Sequence, residues 1–344
     1  MIRFECDYGE GCHPQILKKL AETNFEQTPG YGCDHYCEEA AEMIRKACEC
    51  PEAGVHFLVG GTQANAAVIK AALKPWQGAV CAESGHINVH ECGAVETTGH
   101  KCLTIPSEDG TITVRQIMEL VEGHYADPNA EHMVQPGIVY ISHPTENGTL
   151  YTKQQLTEIS EYCRKRRIPL FLDGARLGYG LMAPGADLTL ADVARLCDVF
   201  YIGGTKVGAM FGEAVVITDA GLNKDFRSLM KQQGAMLAKG RMLGIQFGEL
   251  FRDGLYFEIS RRADLLAHRI KADLISKGYS FLFDSITNQQ FPIFPNEVYR
   301  ELSKEFSFSF WQKVGETHSA VRICTSWATR EEDVEVLLKA IPSL

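Results

Sequence analysis

Short apolar runs closed by glycine or charge alternate along this chain with longer stretches whose apolar residues recur at helical spacing. Phe57-Leu58-Val59, Ala79-Val80-Cys81, the run 137–142, the run 168–172, Tyr201-Ile202 and Ala214-Val215-Val216-Ile217 are continuously or nearly apolar. That is the pattern of strands in a parallel sheet covered on both faces. Amphipathic helices are expected over residues 38–48 and from Thr62 onward, after the Gly60-Gly61 break. Two more should begin at Thr113 and Thr152. Each of these has a Gln three residues on, the form of a capping box, and the second leads a helix with Leu156, Ile159 and Cys163 on one face. Strands alternating with helices predict an α/β fold with a mostly parallel central sheet flanked by helices.

The ends of the chain have a different rhythm. Residues 1–30 read as an extended arm with one short helix over 14–23, and residues 221–251 as mostly helical. A long amphipathic helix over 258–277 closes at Gly278. Short strands at 279–283, 306–310 and 321–324 follow, then a helix capped by Thr329 with Glu332 three residues on. The expected organisation is an arm (1–30), a large domain (31–250) and a smaller C-terminal α+β domain (251–344).

Two of the apolar runs stop abruptly at a charge: Phe171-Leu172-Asp173 and Tyr201-Ile202-Gly203-Gly204-Thr205-Lys206. Charges just past the carboxyl ends of parallel strands stand where open α/β sheets bind ligands. The two are 206 − 173 = 33 residues apart, about one strand-helix-strand unit, so they should face one crevice. A carboxylate and a lysine there suit pyridoxal phosphate, the lysine forming a Schiff base and the carboxylate keeping the pyridine nitrogen protonated. An ordinary ion pair at a sheet edge is the alternative. Gly60-Gly61-Thr62 lies between a strand and a helix amino terminus, a place for a phosphate, unless Thr62 merely caps its own helix. His86 and Glu91 follow the carboxyl end of the strand at 79–81 and can reach the same crevice.

Composition narrows the partner. The 344 residues are 45% hydrophobic and 23% charged, with a net charge of −10, which argues against nucleic-acid and anionic-membrane surfaces and for a small molecule. No run approaches a membrane span, and the amino terminus lacks a signal-like apolar segment, so the twelve cysteines are expected to be reduced thiols in the cytoplasm. Cys33, His35, Cys37, Cys48 and Cys50 lack the paired spacing of structural zinc sites, and no metal is expected. No Gly-x-Gly-x-x-Gly follows a strand, which argues against a nicotinamide dehydrogenase.

In order along the chain stand Asp7-Tyr8, Tyr31-Gly32-x-Asp34, Gly60-Gly61-Thr62-Gln63-Ala64-Asn65, Gly85-His86-Ile87 with Glu91-x-Gly93-Ala94, Asp173-Gly174-Ala175-Arg176, Thr205-Lys206 and Val321-Arg322-Ile323-Cys324. This series resembles the threonine aldolase group of the β-eliminating lyases, pyridoxal-phosphate enzymes of the aspartate-aminotransferase fold (fold type I). The resemblance implies Lys206 as the Schiff-base lysine and Asp173 as partner of the pyridinium nitrogen. It implies Gly61, Thr62 and Gln63 on the phosphate, His86 stacked on the ring, and Arg176 and Arg322 on the substrate carboxylate, a planar fork suited to that task. It further implies a homodimer or homotetramer with active sites between subunits, Tyr31 and Lys239 serving the neighbour. Cys6 stands where the family commonly has serine near the substrate carboxylate. Glu146 stands where some members have a histidine facing the substrate hydroxyl.

The implied reaction is cleavage of a β-hydroxy-α-amino acid of the L-threonine or L-allo-threonine type to glycine and an aldehyde, with His86, Glu91, Glu146 or water as base. β-Elimination from cysteine or an aromatic amino acid is the nearest rival, and a regulatory protein keeping the cofactor fold is another.

Overall fold

The computed structural model describes residues 1–344. Its central sheet has seven strands: β1 (Gly54–Leu58), β2 (Gln77–Ala82), β3 (Cys102–Ile105), β4 (Gln135–Ser142), β5 (Leu170–Asp173), β6 (Val199–Gly203) and β7 (Glu213–Ile217), in the order β1-β7-β6-β5-β4-β2-β3. Neighbours from β6 across to β3 are parallel, whereas β7 is antiparallel to both β1 and β6. Only the turn 204–212 separates β6 from β7, too short for a crossover helix, so β7 must return antiparallel.

Because side chains alternate along a strand, the sheet supports two cores. Val139, Ile141, Leu170, Leu172, Phe200 and Ile202 pack on one face with Leu156, Ile159 and Cys163 of the helix Lys153–Arg166. Ile138, Tyr140, Phe171, Val199 and Tyr201 pack on the other with Ala64, Ala67 and Val68 of the helix Gly61–Ala72. The small residues of that helix let it lie close over the sheet, which brings its amino terminus to the strand ends.

A third core belongs to the carboxyl-terminal region, where Ile293–Pro295, His318–Cys324 and Ser309–Val314 form an antiparallel sheet with Gln289–Gln290 alongside. Ile2–Arg3 of the arm pairs in parallel with Phe306–Ser307 and so buries Phe4 in this core. The helix Leu255–Ser276 serves both bodies: Leu255, Tyr256, Ile259 and Ala263 enter the large core, Leu266, Ile270 and Leu274 the small one.

Both predicted capping boxes form, at Thr113 with Gln116 and at Thr152 with Gln155. Two readings are corrected. Residues 279–283 make only an isolated bridge, Phe281 to Pro292, because the ladder positions are taken by the strands at Gln289–Gln290 and Ile293–Pro295. The last helix, Glu331–Ala340, starts after Arg330; Thr329 instead turns its hydroxyl back to accept the Ser326 N–H. The stretch 221–251 is mostly helical, as expected, in three helices, Ala220–Asn223, Phe226–Gln232 and Arg241–Phe251, the last two separated by a loop in which Gly234 takes a positive φ. The edge strand β3 escaped the apolar pattern because Leu103 is half-buried and Thr104 exposed.

Candidate active site

Asp173 ends β5, and the sheet register decides its surroundings. Tyr140 sits opposite Phe171, and Tyr201 shares the same face, so both phenols point along the sheet toward the strand ends. The Tyr140 hydroxyl donates to Asp173 Oδ2 at 2.5 Å and the Tyr201 hydroxyl to Oδ1 at 2.5 Å. Oδ1 also accepts the Ala175 N–H at 3.0 Å, and Oδ2 accepts from Asn65 Nδ2 at 3.1 Å. Burial and the Asp173 charge push both phenols well above their usual range, keeping them neutral donors.

Asn65 extends the network. Its Nδ2 also donates to Glu91 Oε1 at 2.7 Å, and the same oxygen pairs with His86 Nδ1 at 2.7 Å. Burial pulls the His86 imidazole down, but the hydrogen bond to Glu91 and the charges of Asp173, Glu91 and Glu146 outweigh it and raise the group. The third carboxylate, Glu146, accepts the His86 backbone N–H at 3.0 Å and the Ser142 hydroxyl at 2.8 Å. Burial, then Asp173, raises Glu146 above the ordinary carboxyl range.

Lys206, His86, Glu146, Arg176 and Arg322 line one cavity of about 540 Å³ between the large core and the small sheet, together with Tyr8 of the arm and Trp311. Lys206 Nζ stands 5.9 Å from the centre of the Tyr8 ring, and the Lys206 carbonyl accepts the Tyr179 hydroxyl at 2.6 Å. Arg322 lies over Trp311, 5.7 Å from ring centroid to guanidinium carbon, and donates to Gln289 Oε1 and the Glu5 carbonyl. Arg176 is held by a fork: its Nε and Nη2 donate to Asp7 Oδ2 and Oδ1 at 2.6 and 2.9 Å. Arg176 therefore offers a substrate only the rest of its guanidinium.

The turn after β1 presents a phosphate cradle. The helix Gly61–Ala72 is capped by Gly60 with no side-chain hydrogen bond, which corrects the alternative that Thr62 caps its own helix and leaves the first-turn N–H groups facing outward. A Cβ on Gly61 would stand 3.0 Å from the Tyr201 hydroxyl, so glycine keeps this turn open. The Gln63 side chain braces the turn, accepting from Val59 N and donating to the Gln233 carbonyl, so only its backbone is free for an anion. The cradle, Asp173 with its four donors, and Lys206 fit pyridoxal phosphate: donors for a phosphate, a buried carboxylate for a ring nitrogen and an amine.

Besides Asp173 and the Gly61-Thr62-Gln63 turn, four expected residues do not line the cavity. Glu91 is corrected as a substrate contact, because its side chain is 0% exposed behind His86. Cys6 is half-buried beside Asp7 and does not line the cavity. Tyr31, with a positive φ, and Lys239 are both exposed on the outer surface, and the cation over the Tyr31 ring is Lys231, at 4.6 Å. The larger cavity of the chain, about 880 Å³, opens elsewhere, between loops at Asp109, His143 and Asp284, and holds none of the expected site residues.

Sequence reading placed Asp7, Tyr8 and Asn65 in motifs without giving them a role, and missed Tyr140, Tyr201, Trp311 and Glu213. Asn65 carried a signal, as the one polar residue in the apolar run 64–69. Tyr201 carried another, two residues before the glycine that ends its strand.

The sequence pattern of the Beta-eliminating lyase family matches residues 11–291. The chain is 28% identical to a low specificity L-threonine aldolase of Pseudomonas aeruginosa, over 98% of this chain and 96% of that protein. It superposes on a threonine aldolase of Leishmania major with a TM-score of 0.97 and 44% identity, covering 99% of this chain and 98% of the other. A putative L-allo-threonine aldolase of Listeria monocytogenes, 19% identical with a TM-score of 0.75 over 99% of this chain and 95% of that one, shares the fold. With the pattern spanning most of the chain, the protein belongs to the β-eliminating lyase family.

Proposed function

We propose that this protein is a pyridoxal-phosphate-dependent aldolase that cleaves L-threonine or L-allo-threonine to glycine and acetaldehyde. The observation that carries this reading is the convergence on one cavity of Lys206, two arginines and His86, the last tied through Glu91 and Asn65 to Asp173. The likeness to the Leishmania major threonine aldolase supports it. When bound, pyridoxal phosphate supplies an electron sink for the pair of electrons left when the Cα–Cβ bond breaks.

The chain's own groups do the rest. The N–H groups of Gly61, Thr62 and Gln63 at the helix end would hold the phosphate. Asp173, fixed by four donors, would keep the ring nitrogen protonated, and the Lys206 amine would bind the cofactor. His86, paired through Nδ1 with Glu91, would pack on the ring. Arg322 and the free edge of Arg176 receive the substrate carboxylate. Glu146 and His86 line the same cavity as the two arginines, where either can take the proton of a substrate β-hydroxyl. Tyr31 and Lys239, exposed away from their own cavity, complete a neighbour's site in a dimer or tetramer.

The test is to incubate purified protein with L-threonine and with L-allo-threonine while following acetaldehyde, glycine and visible absorbance. Acetaldehyde and glycine in equal amounts, lost in Lys206→Ala, are expected. Pyruvate and ammonia from cysteine or an aromatic amino acid, without acetaldehyde, would replace this reading with β-elimination.

A further inference from the structure

Glu213 is the first residue of β7, an interior strand next to the edge strand β1, opposite Gly203 of β6 on one side and Leu58 of β1 on the other. Its side chain is buried, 2% exposed. A carboxyl buried between two strands is costly unless something there needs it. Its oxygens serve the turn that carries Lys206: Oε1 accepts the Thr205 hydroxyl at 2.9 Å and Oε2 the Gly204 N–H at 3.1 Å. The Thr205 hydroxyl in turn accepts the Gly212 N–H at 3.0 Å, closing the turn on itself. The same strand borders β1, whose end leads into the Gly60-Gly61 turn.

We propose that Glu213 is a positioning residue for Lys206, clamping the Gly204-Thr205 turn and balancing the charge of the lysine amine. The proposal rests on the role given to Lys206 above. An amine that is bonded during part of a cycle and free during another changes charge, and a buried neighbour that can lose a proton when the amine gains one keeps the pocket's net charge constant. The surroundings of Glu213 allow this. Burial drives its carboxyl up, Lys206 and the bonds from Thr205 and Gly204 draw it down, Asp173 adds a rise, and it settles at about 7. Tyr201 and Tyr256, which also feel its charge, are held neutral, and of the charged groups Lys206 and Asp173 act on it most.

The experiment is an infrared pH titration of the full-length chain freed of bound small molecules. The protonated-carboxyl band that disappears in Glu213→Gln is followed in the wild type and in Lys206→Gln. Expected are a wild-type midpoint near 7 and, in Lys206→Gln, a rise of about one unit, a tenfold change in proton affinity. Should Glu213→Gln fail to fold, Thr205→Val supplies the assignment by shifting the frequency of the same band. A midpoint that does not move in Lys206→Gln, or no carboxyl band assignable to residue 213 at pH 6, overturns the proposal. Neither result depends on cofactor or aldehyde, so failure of the aldolase reading would be seen separately, in the product assay.

Discussion

Replacing Asp7 by Asn probes the junction of arm, large domain and small sheet. Asp7 is 0% exposed and grips Arg176, 13% exposed, through two hydrogen bonds, while its Oδ2 also accepts Asn288 Nδ2 at 2.9 Å. Burial pushes the Asp7 carboxyl up, but Arg176, Lys206 and Asn288 outweigh it and hold the group below the usual carboxylate range. Removing one partner of a buried pair costs about 3–5 kcal/mol, and Asn, which keeps an acceptor, belongs at about 3 kcal/mol. With an unfolding entropy of about 2.1 cal/mol/K per residue, 344 residues give about 0.7 kcal/mol/K, so Tm should fall by about 4 °C. Calorimetry at pH 7 reads this directly, and hydrogen exchange of the Phe4 amide, bonded to the Ser307 carbonyl, should accelerate as the arm loosens. The sign with pH is fixed. A depressed carboxyl stabilises fully above its unfolded value of about 3.9 and loses that contribution as pH falls through the lower folded value, so the gap between wild type and variant closes below about pH 4. A Tm loss under about 1 °C, or a gap constant down to pH 3, would refute the tether.

Three other outcomes follow from the geometry. Gly61→Ala presses on the Tyr201 hydroxyl and should weaken pyridoxal phosphate binding about tenfold, about 1.4 kcal/mol, in a fluorescence titration; an unchanged Kd removes Gly61 from the cradle. Glu91→Gln takes away the partner that raises His86, so the imidazole titration followed by NMR should move down in pH. Because a raised histidine stabilises below its unfolded pKa and stops doing so above its folded one, the stability lost in Glu91→Gln should be greatest in acid and shrink with rising pH; a His86 midpoint that stays put denies the pairing. Asp264, 0% exposed with no hydrogen bond of normal geometry at either oxygen, is pushed well above the carboxyl range by burial. A raised carboxyl destabilises as pH climbs past its unfolded value, so Asp264→Leu should raise Tm at pH 8 and lose that advantage toward pH 4; a lower Tm at pH 8 would show that the carboxyl has an unseen partner.

Strands buried on both faces were legible because burial leaves only apolar residues, as in β4 and β5; β3, at an edge, carries half-buried and exposed positions and so no such run. Lys206 and Asp173 could be found as charges ending apolar runs. Their supports could not. Asp7 lies 169 residues from Arg176, and nothing local at either position announces a pair made only when the arm folds back. Glu213 opens its strand and reads as an exposed start; its burial follows from a register across two neighbouring strands that no local pattern encodes. Glu91 looked available because it follows a strand end, whereas the short helix His86–Val89 turns it inward behind the histidine. Local sequence thus located the charges at the strand ends, and long-range pairing determined which of them face the cavity.

The helix Leu255–Ser276 has a practical meaning for anyone recombining this scaffold. Its first half completes one core and its second half another, so a splice before it strips the amino-terminal piece of Tyr256 and Ile259, and a splice after it strips the carboxyl-terminal piece of Ile270 and Leu274. Chimeras with relatives should therefore exchange the helix whole and with it the residues it touches in both cores, and the arm must travel with the carboxyl-terminal sheet on which Ile2–Arg3 pairs. In evolutionary terms the two lobes of this enzyme are heritable only as one unit.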